Sequence, residues 1–181
     1  MKKLLSLGLV LALVFVLAAC GNNNEPAAND KAANAPAASE VDAVTTASIV
    51  NTEEAFLNAI SKDGTWIIAT LGDMKIDQEL VLEGEFKNKD VVARKIALYT
   101  QDEERNITAS FKLTAPKLTV KSENARIQGG TFVGDVYVES NGFKLVKATV
   151  EGNLYFASEE VKATYDGSDA GVVTGVVEVK K

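Results

Sequence analysis

The sequence predicts an all-β fold: a short single-stranded parallel β-helix with coils of about 18 residues, closed at its N-terminal end by a capping α-helix. Three observations predict it. Only one stretch, near residues 49–64, carries a full set of helix signals. The chain beyond it is a series of short β-branched runs of alternating character, set apart by Gly, Asn, Asp and Ser. Two of those segments, 126–140 (RIQGGTFVGDVYVES) and 144–158 (KLVKATVEGNLYFAS), align on each other at a spacing of 18. A unit that short cannot bury a core of its own, so it reads as one coil stacked on its neighbours.

The N-terminal residues 1–19 read as an export signal: Lys2 and Lys3 form a basic start, and an apolar run of Leu, Val and Ala extends from Leu4 to Ala19. The run is shorter than the ~20 residues that span a bilayer, and no basic stop comes after it. It ends in Leu17-Ala18-Ala19-Cys20, and Cys20 is the only cysteine of the chain. This pattern resembles the lipobox of bacterial lipoproteins. The resemblance implies cleavage before Cys20, a diacylglycerol lipid on its thiol, and an extracytoplasmic protein anchored to the bacterial membrane. A lone exported cysteine has no disulfide partner within the chain, which fits a lipid better than a free thiol.

Residues 20–48 read as a lipid-anchored disordered tether, dominated by Ala and Asn with Pro26 and Pro36 and no aromatic residue. Such a stretch buries too little apolar surface to offset its ordering entropy, and as a coil it would span on the order of 30 Å. The capping helix is expected over 49–64. Asn51 serves as N-cap with Glu54 three positions on, Ala55, Phe56, Leu57 and Ile60 give an apolar side, and Asp63-Gly64 stops it.

The solenoid is expected over 65–181, with strands at Thr65–Thr70, Met74–Leu82, Lys95–Thr100, Lys117–Lys121, Asp135–Glu139, Leu154–Ala157 and Val172–Val179. Alternation sends Leu118, Val120, Val136, Val138, Leu154, Phe156 and Val172 to one inner wall, and Ala125, Ile127, Phe143, Leu145, Val161 and Ala163 to another. Before residue 113 the spacing is irregular. Leu80 and Leu82 are expected to be succeeded in the stack by Ile96 and Leu98, then by Leu118 and Val120, with the longest loop at Gln101–Arg105.

The cadence Gly130-Thr-Phe-Val-Gly134-Asp135-Val136-Tyr-Val138, repeated as Val150-Glu-Gly152-Asn153-Leu154-Tyr-Phe156, resembles that of bactofilins over roughly residues 113–179. That family forms polymers of a small right-handed β-helix stacked end to end, without nucleotide. The resemblance therefore implies a right-handed coil and a homo-oligomer. This chain differs from the family in its export signal and in the helix across its first coil. A helix there would block growth at that end and leave pairing through the C-terminal end. A capping helix before the first coil is also similar to that of polysaccharide-acting β-helix proteins such as the pectate lyase group.

Composition narrows the chemistry. Without residues 1–19 the chain holds 17 basic against 25 acidic residues, net −8, which disfavours nucleic acid as a partner. It contains no His, no nucleophile elbow and no phosphate-binding glycine loop, so no catalytic constellation, metal site or cofactor beyond the lipid is assigned. Asp166-Gly167-Ser168-Asp169 has oxygen ligands for Ca²⁺ but reads first as a turn.

Two outward ladders form the candidate ligand face. Tyr137 and Tyr155 lie one coil apart, with Thr119 below and Val173 above, and such a strip can lie against sugar rings or simply stabilise the sheet. Arg126, Lys144 and Lys162 form a basic ladder that calls for an anion or neighbouring carboxylates. Val172, Val173, Val176, Val177 and Val179 form the candidate assembly end, an apolar last coil with unpaired backbone. The reading is a non-catalytic, membrane-anchored structural or interaction module that self-associates through this coil. The alternative is a protein that binds cell-wall or extracellular polysaccharide, and a polysaccharide-acting enzyme ranks third.

Overall fold

The computed structural model describes residues 47–180, so the expected export signal, Cys20 and the expected tether up to residue 46 lie outside the described residues. The described chain is mostly β-strand, with two helices and parallel pairing throughout its two large sheets.

It opens with a strand, β1 (Ala47–Val50), in a stretch expected to be tether and helix. The helix α1 (Glu53–Ile60) comes next, starting one residue later than an Asn51 cap requires. Thr52 is the N-cap instead: its backbone is extended, and its hydroxyl accepts the Ala55 N–H at 3.2 Å. Glu54 then falls at the second helical position, one short of a capping box, though Glu53 and Glu54 still face the positive end of the helix dipole. Phe56, Ala59 and Ile60 are buried.

The chain continues through β2 (Ile67–Thr70), β3 (Met74–Lys75), β4 (Leu80–Leu82), β5 (Lys87–Asn88), β6 (Val91–Val92), β7 (Arg94–Ala97), β8 (Tyr99–Gln101), β9 (Ile107–Ser110) and β10 (Lys112–Val120). Then come β11 (Ala125–Gln128), β12 (Thr131–Val138), β13 (Lys144–Val146), β14 (Thr149–Glu151) and β15 (Leu154–Phe156). The helix α2 (Glu159–Ala163), β16 (Val172–Val173) and β17 (Val177–Val179) complete it. One parallel sheet runs β1-β2-β7-β11-β13. The other joins β3 and β4 to β10, β10 to β12, β12 to β14 and β15, and these to β16 and β17. Inward residues of both sheets, together with Phe56 and Ile60, form one core cluster.

The register matches the 18-residue repeat where the repeat is strongest. Arg126 pairs with Lys144, Thr131 with Thr149, Val136 with Leu154 and Tyr137 with Tyr155. One pass earlier, Leu118, Thr119 and Val120 pair with Val136, Tyr137 and Val138.

Away from that centre the register differs. Leu80 and Leu82 pair directly with Leu118 and Val120, while Ile96 lies in the other sheet between Ile68 and Ile127. Segment 83–111 thus adds β7 to the first sheet between two excursions, the antiparallel pair β5–β6 before it and the antiparallel hairpin β8–β9 after it, whose turn is the expected loop at Gln101–Arg105. After β15 the polar run Ser158-Glu159-Glu160 caps a helix that was not expected, with the Ser158 hydroxyl accepting the Val161 N–H. This insertion lengthens the spacing to 23, from Thr149 to Val172 and from Leu154 to Val177. Val172 therefore does not stack on Leu154. Lys162 and Ala163 lie in α2 rather than in a strand, and Ala163 is exposed instead of lining a wall.

Two local constraints fix the backbone. Gly134 bends β12 between its β14-paired and β15-paired halves at φ +138°, and a Cβ there would run into the Ala115 carbonyl oxygen one pass below. Gly152 stands in the same relation to the Gly134 carbonyl. The other constraint is Arg94, 1% exposed at an inward position of β7. Its guanidinium donates from Nε to the Thr65 carbonyl at 2.6 Å, from Nη1 to the Glu83 carbonyl, and from Nη2 to the Ala59 and Ser61 carbonyls at 2.6 and 3.0 Å. The Phe86 ring lies 4.0 Å from its Cζ. Desolvation pushes its pKa down to about 10, which leaves it charged at neutral pH.

Arg94→Met removes a charged donor from four backbone carbonyls at once and is expected to cost about 3 kcal/mol or more in urea unfolding. Arg94→Lys should recover little of it, because one ammonium cannot reproduce the fork. Gly134→Ala is expected to cost about 2 kcal/mol or more by the same measurement, whereas Gly72→Ala, which meets nothing within contact distance, should change stability little.

Candidate functional site

The outer side of the second sheet carries the tyrosines where the repeat places them. Along one column stand Val81, Thr119, Tyr137, Tyr155 and Glu178, so Glu178 rather than Val173 lies above Tyr155. Tyr137 and Tyr155 are half-buried and form no stacked pair with each other. The Tyr137 hydroxyl donates to the Lys180 carbonyl at 3.1 Å, and the Lys180 ammonium lies 4.3 Å over the Tyr155 ring. Lys117, Asp135, Tyr137, Tyr155 and Lys180 line an open cleft of about 250 Å³.

Three of these five residues were missed in the sequence, and a signal for two of them existed. Lys117 and Asp135 precede Thr119 and Tyr137 by two positions, which places them on the same outer side of the sheet. Lys117 is tied to Glu79 at 2.7 Å. Asp135 Oδ1 accepts both the Asn153 N–H, at 3.0 Å, and the Asn153 side-chain amide, at 2.9 Å. Lys180 was not legible, because its position depends on the five-residue lengthening of the last pass.

The basic ladder is rearranged. Lys95, Arg126 and Lys144 stand in successive positions of the first sheet, and the position above Lys144 is Asp166, not Lys162. Asp166 receives the Ser168 hydroxyl at 2.6 Å, the Ser168 N–H at 3.0 Å and the Lys144 ammonium at 3.0 Å. These donors hold its carboxyl well below the usual range. The Asp166–Ser168 segment is thus a hydrogen-bonded turn, and among the described residues no cluster of three His, Cys, Asp or Glu could hold a metal ion. No helix of the described residues is long and apolar enough to cross a membrane.

The last pass is half covered. Val161 and Tyr165 pack on the core, with Tyr165 5.5 Å from Phe156 and 6.2 Å from Phe143 between ring centres. Burial and the adjacent Asp166 carboxylate push the Tyr165 phenol up. Beyond this lid, Val173 and Val179 turn half-buried against the core, while Val172, Val176 and Val177 are 50%, 48% and 40% exposed. None of the protein-family models, curated proteins and solved structures compared with the chain matches it.

Asp166 titrates lower in the folded chain than in the unfolded chain, so its stabilising contribution is complete above the ordinary aspartate value of 3.8 and is lost as pH falls through the lowered one. Asp166→Asn is therefore expected to lower Tm at pH 7, with the gap to the parent closing as pH drops below 4, read by circular dichroism melts across that range.

Proposed function

We propose that the chain is a lipid-anchored, extracytoplasmic interaction module, non-catalytic, whose folded part is a right-handed single-stranded parallel β-helix that pairs with a second copy through its last pass. The β-helix reading is supported by the in-register parallel stacking of segments 18 residues apart in two sheets that share one core. The likeness of the Gly130–Val138 cadence to bactofilins supports the handedness and the self-association. The anchor rests on the Leu17–Cys20 lipobox pattern.

The observation that carries the assembly reading is the open edge of β16 and β17. Among the described residues each pairs on one side only, with β14 and β15, and Val172, Val176 and Val177 lie exposed beside that free edge. Free backbone next to apolar side chains is a template for another strand. A second copy suits it by charge. Antiparallel pairing about Val179 sets each Glu178 opposite the Lys180 of the other copy, an attractive cross-strand arrangement.

In a bacterial host the full chain should incorporate labelled palmitate, and Cys20→Ala should not; incorporation by both would overturn the anchor. Detergent-solubilised wild type should sediment as a dimer and Val177→Lys as a monomer with an unchanged melt. A monomeric wild type would refute the assembly reading.

A further inference from the structure

The cleft on the tyrosine side has chemistry of its own. The Tyr137 hydroxyl is held on the Lys180 carbonyl, and the rings of both Tyr137 and Tyr155 line the cleft. The polar groups around it are unequal. Lys117 is neutralised by Glu79, and Asp135 spends both of its hydrogen bonds to Asn153 on Oδ1, leaving Oδ2 as an acceptor. Lys180 has no ion pair with any described carboxylate, and its ammonium lies over the Tyr155 ring. The cleft thus offers an aromatic flank, one uncommitted cation at one side and one carboxylate acceptor at the other.

From this the geometry points to a binding site for an acidic sugar, one hexuronate ring of a polysaccharide. Its carboxylate meets the Lys180 ammonium, its apolar C–H face lies on Tyr137, and a hydroxyl donates to Asp135 Oδ2. A volume of about 250 Å³ holds a single ring, with the open cleft letting the polymer continue to either side. Asp135 lines the cleft together with Lys180, so a compact dianion such as phosphate meets a carboxylate beside the ammonium, whereas a monoanion that also carries hydroxyl donors satisfies both ends. The inference does not rest on the assembly reading, since the cleft is formed within one chain and shares with a second copy only the Lys180 ammonium.

The test is saturation-transfer NMR on the detergent-solubilised full chain with methyl glucuronide, methyl glucoside and inorganic phosphate as probes. Ring protons of the glucuronide should be saturated, with a dissociation constant on the order of millimolar. Lys180→Gln, an exposed position, should weaken the glucuronide about fivefold and leave the glucoside unchanged. Tyr137→Leu should abolish ring saturation while Lys180→Gln retains it, and the Val177→Lys variant, which keeps the whole cleft, should bind at least as tightly as the parent. Three outcomes would overturn the site: no saturation of either sugar, equal response of acid and neutral sugar to Lys180→Gln, or displacement of the glucuronide by equimolar phosphate, which marks a bare cation.

Discussion

The first passes of the chain are held by one buried cation. Arg94 stands where the inward alternation of β7 calls for an apolar residue, beside Ile96 and paired with Ala125. An uncompensated charge there would not be tolerated; what makes it favourable is that four backbone carbonyls converge on it. Ala59 and Ser61 lie at the C-terminal end of α1, the negative end of the helix dipole, and their carbonyls accept the guanidinium in addition to the Thr65 and Gly64 N–H groups. Thr65 leads into β2 and Glu83 leaves β4. One guanidinium therefore joins the helix to both sheets, and Phe86, in the excursion before β5, closes over it. Gly64 completes the junction, since any Cβ there would run into the Ala59 carbonyl that Arg94 uses.

Where the junction is specified by polar groups, the later passes are specified by steric repetition. Between β10 and β15 each pass sets like on like: Leu118 on Val136 on Leu154, and Val120 on Val138 on Phe156. The bend at Gly134 is reproduced at Gly152 because each residue must pass close to the carbonyl below it. Insertions are accepted only where they find burial of their own. The β8–β9 hairpin gains it through Tyr99, which with Trp66, Ile67, Ala69 and Ala97 forms a second small cluster. The insertion after β15 gains it through Tyr165, lodged against Phe143 and Phe156.

These differences explain what could be read in the sequence. The 18-residue register was legible because it is written in side chains that repeat: Ile127 and Leu145, Val136 and Leu154, Tyr137 and Tyr155. The pairing of Leu80 with Leu118 was not, since 37 intervening residues hold β-branched runs that look like a pass of the stack but belong to the other sheet and to a hairpin. The Arg94 junction left no pattern at all, because its acceptors are backbone carbonyls, which no side chain announces. The displacement of Lys162 by Asp166, four residues on, and of Val173 by Glu178, five residues on, has one cause, the insertion of α2 and its turn. The tyrosine column was foreseen for the same reason as the register, and Lys180 was missed for the same reason as Glu178.

The two proposed surfaces meet on β17 and share one group, the Lys180 ammonium. Pairing along a strand edge uses N–H and C=O groups in the plane of the sheet, whereas the cleft uses side chains that stand out of that plane. Glu178 and Lys180 project from the outer side, where Lys180 already lies over Tyr155 and its carbonyl accepts from Tyr137. Those contacts hold β17 against the tyrosine column and fix the line along which the free edge runs. A second copy aligned about Val179 would bring its Glu178 toward the same Lys180, placing a carboxylate near the ammonium that the sugar acid would use. Partner and ligand would then share one cation, and occupation of the cleft would weaken the cross-strand charge pair while leaving the backbone pairing intact.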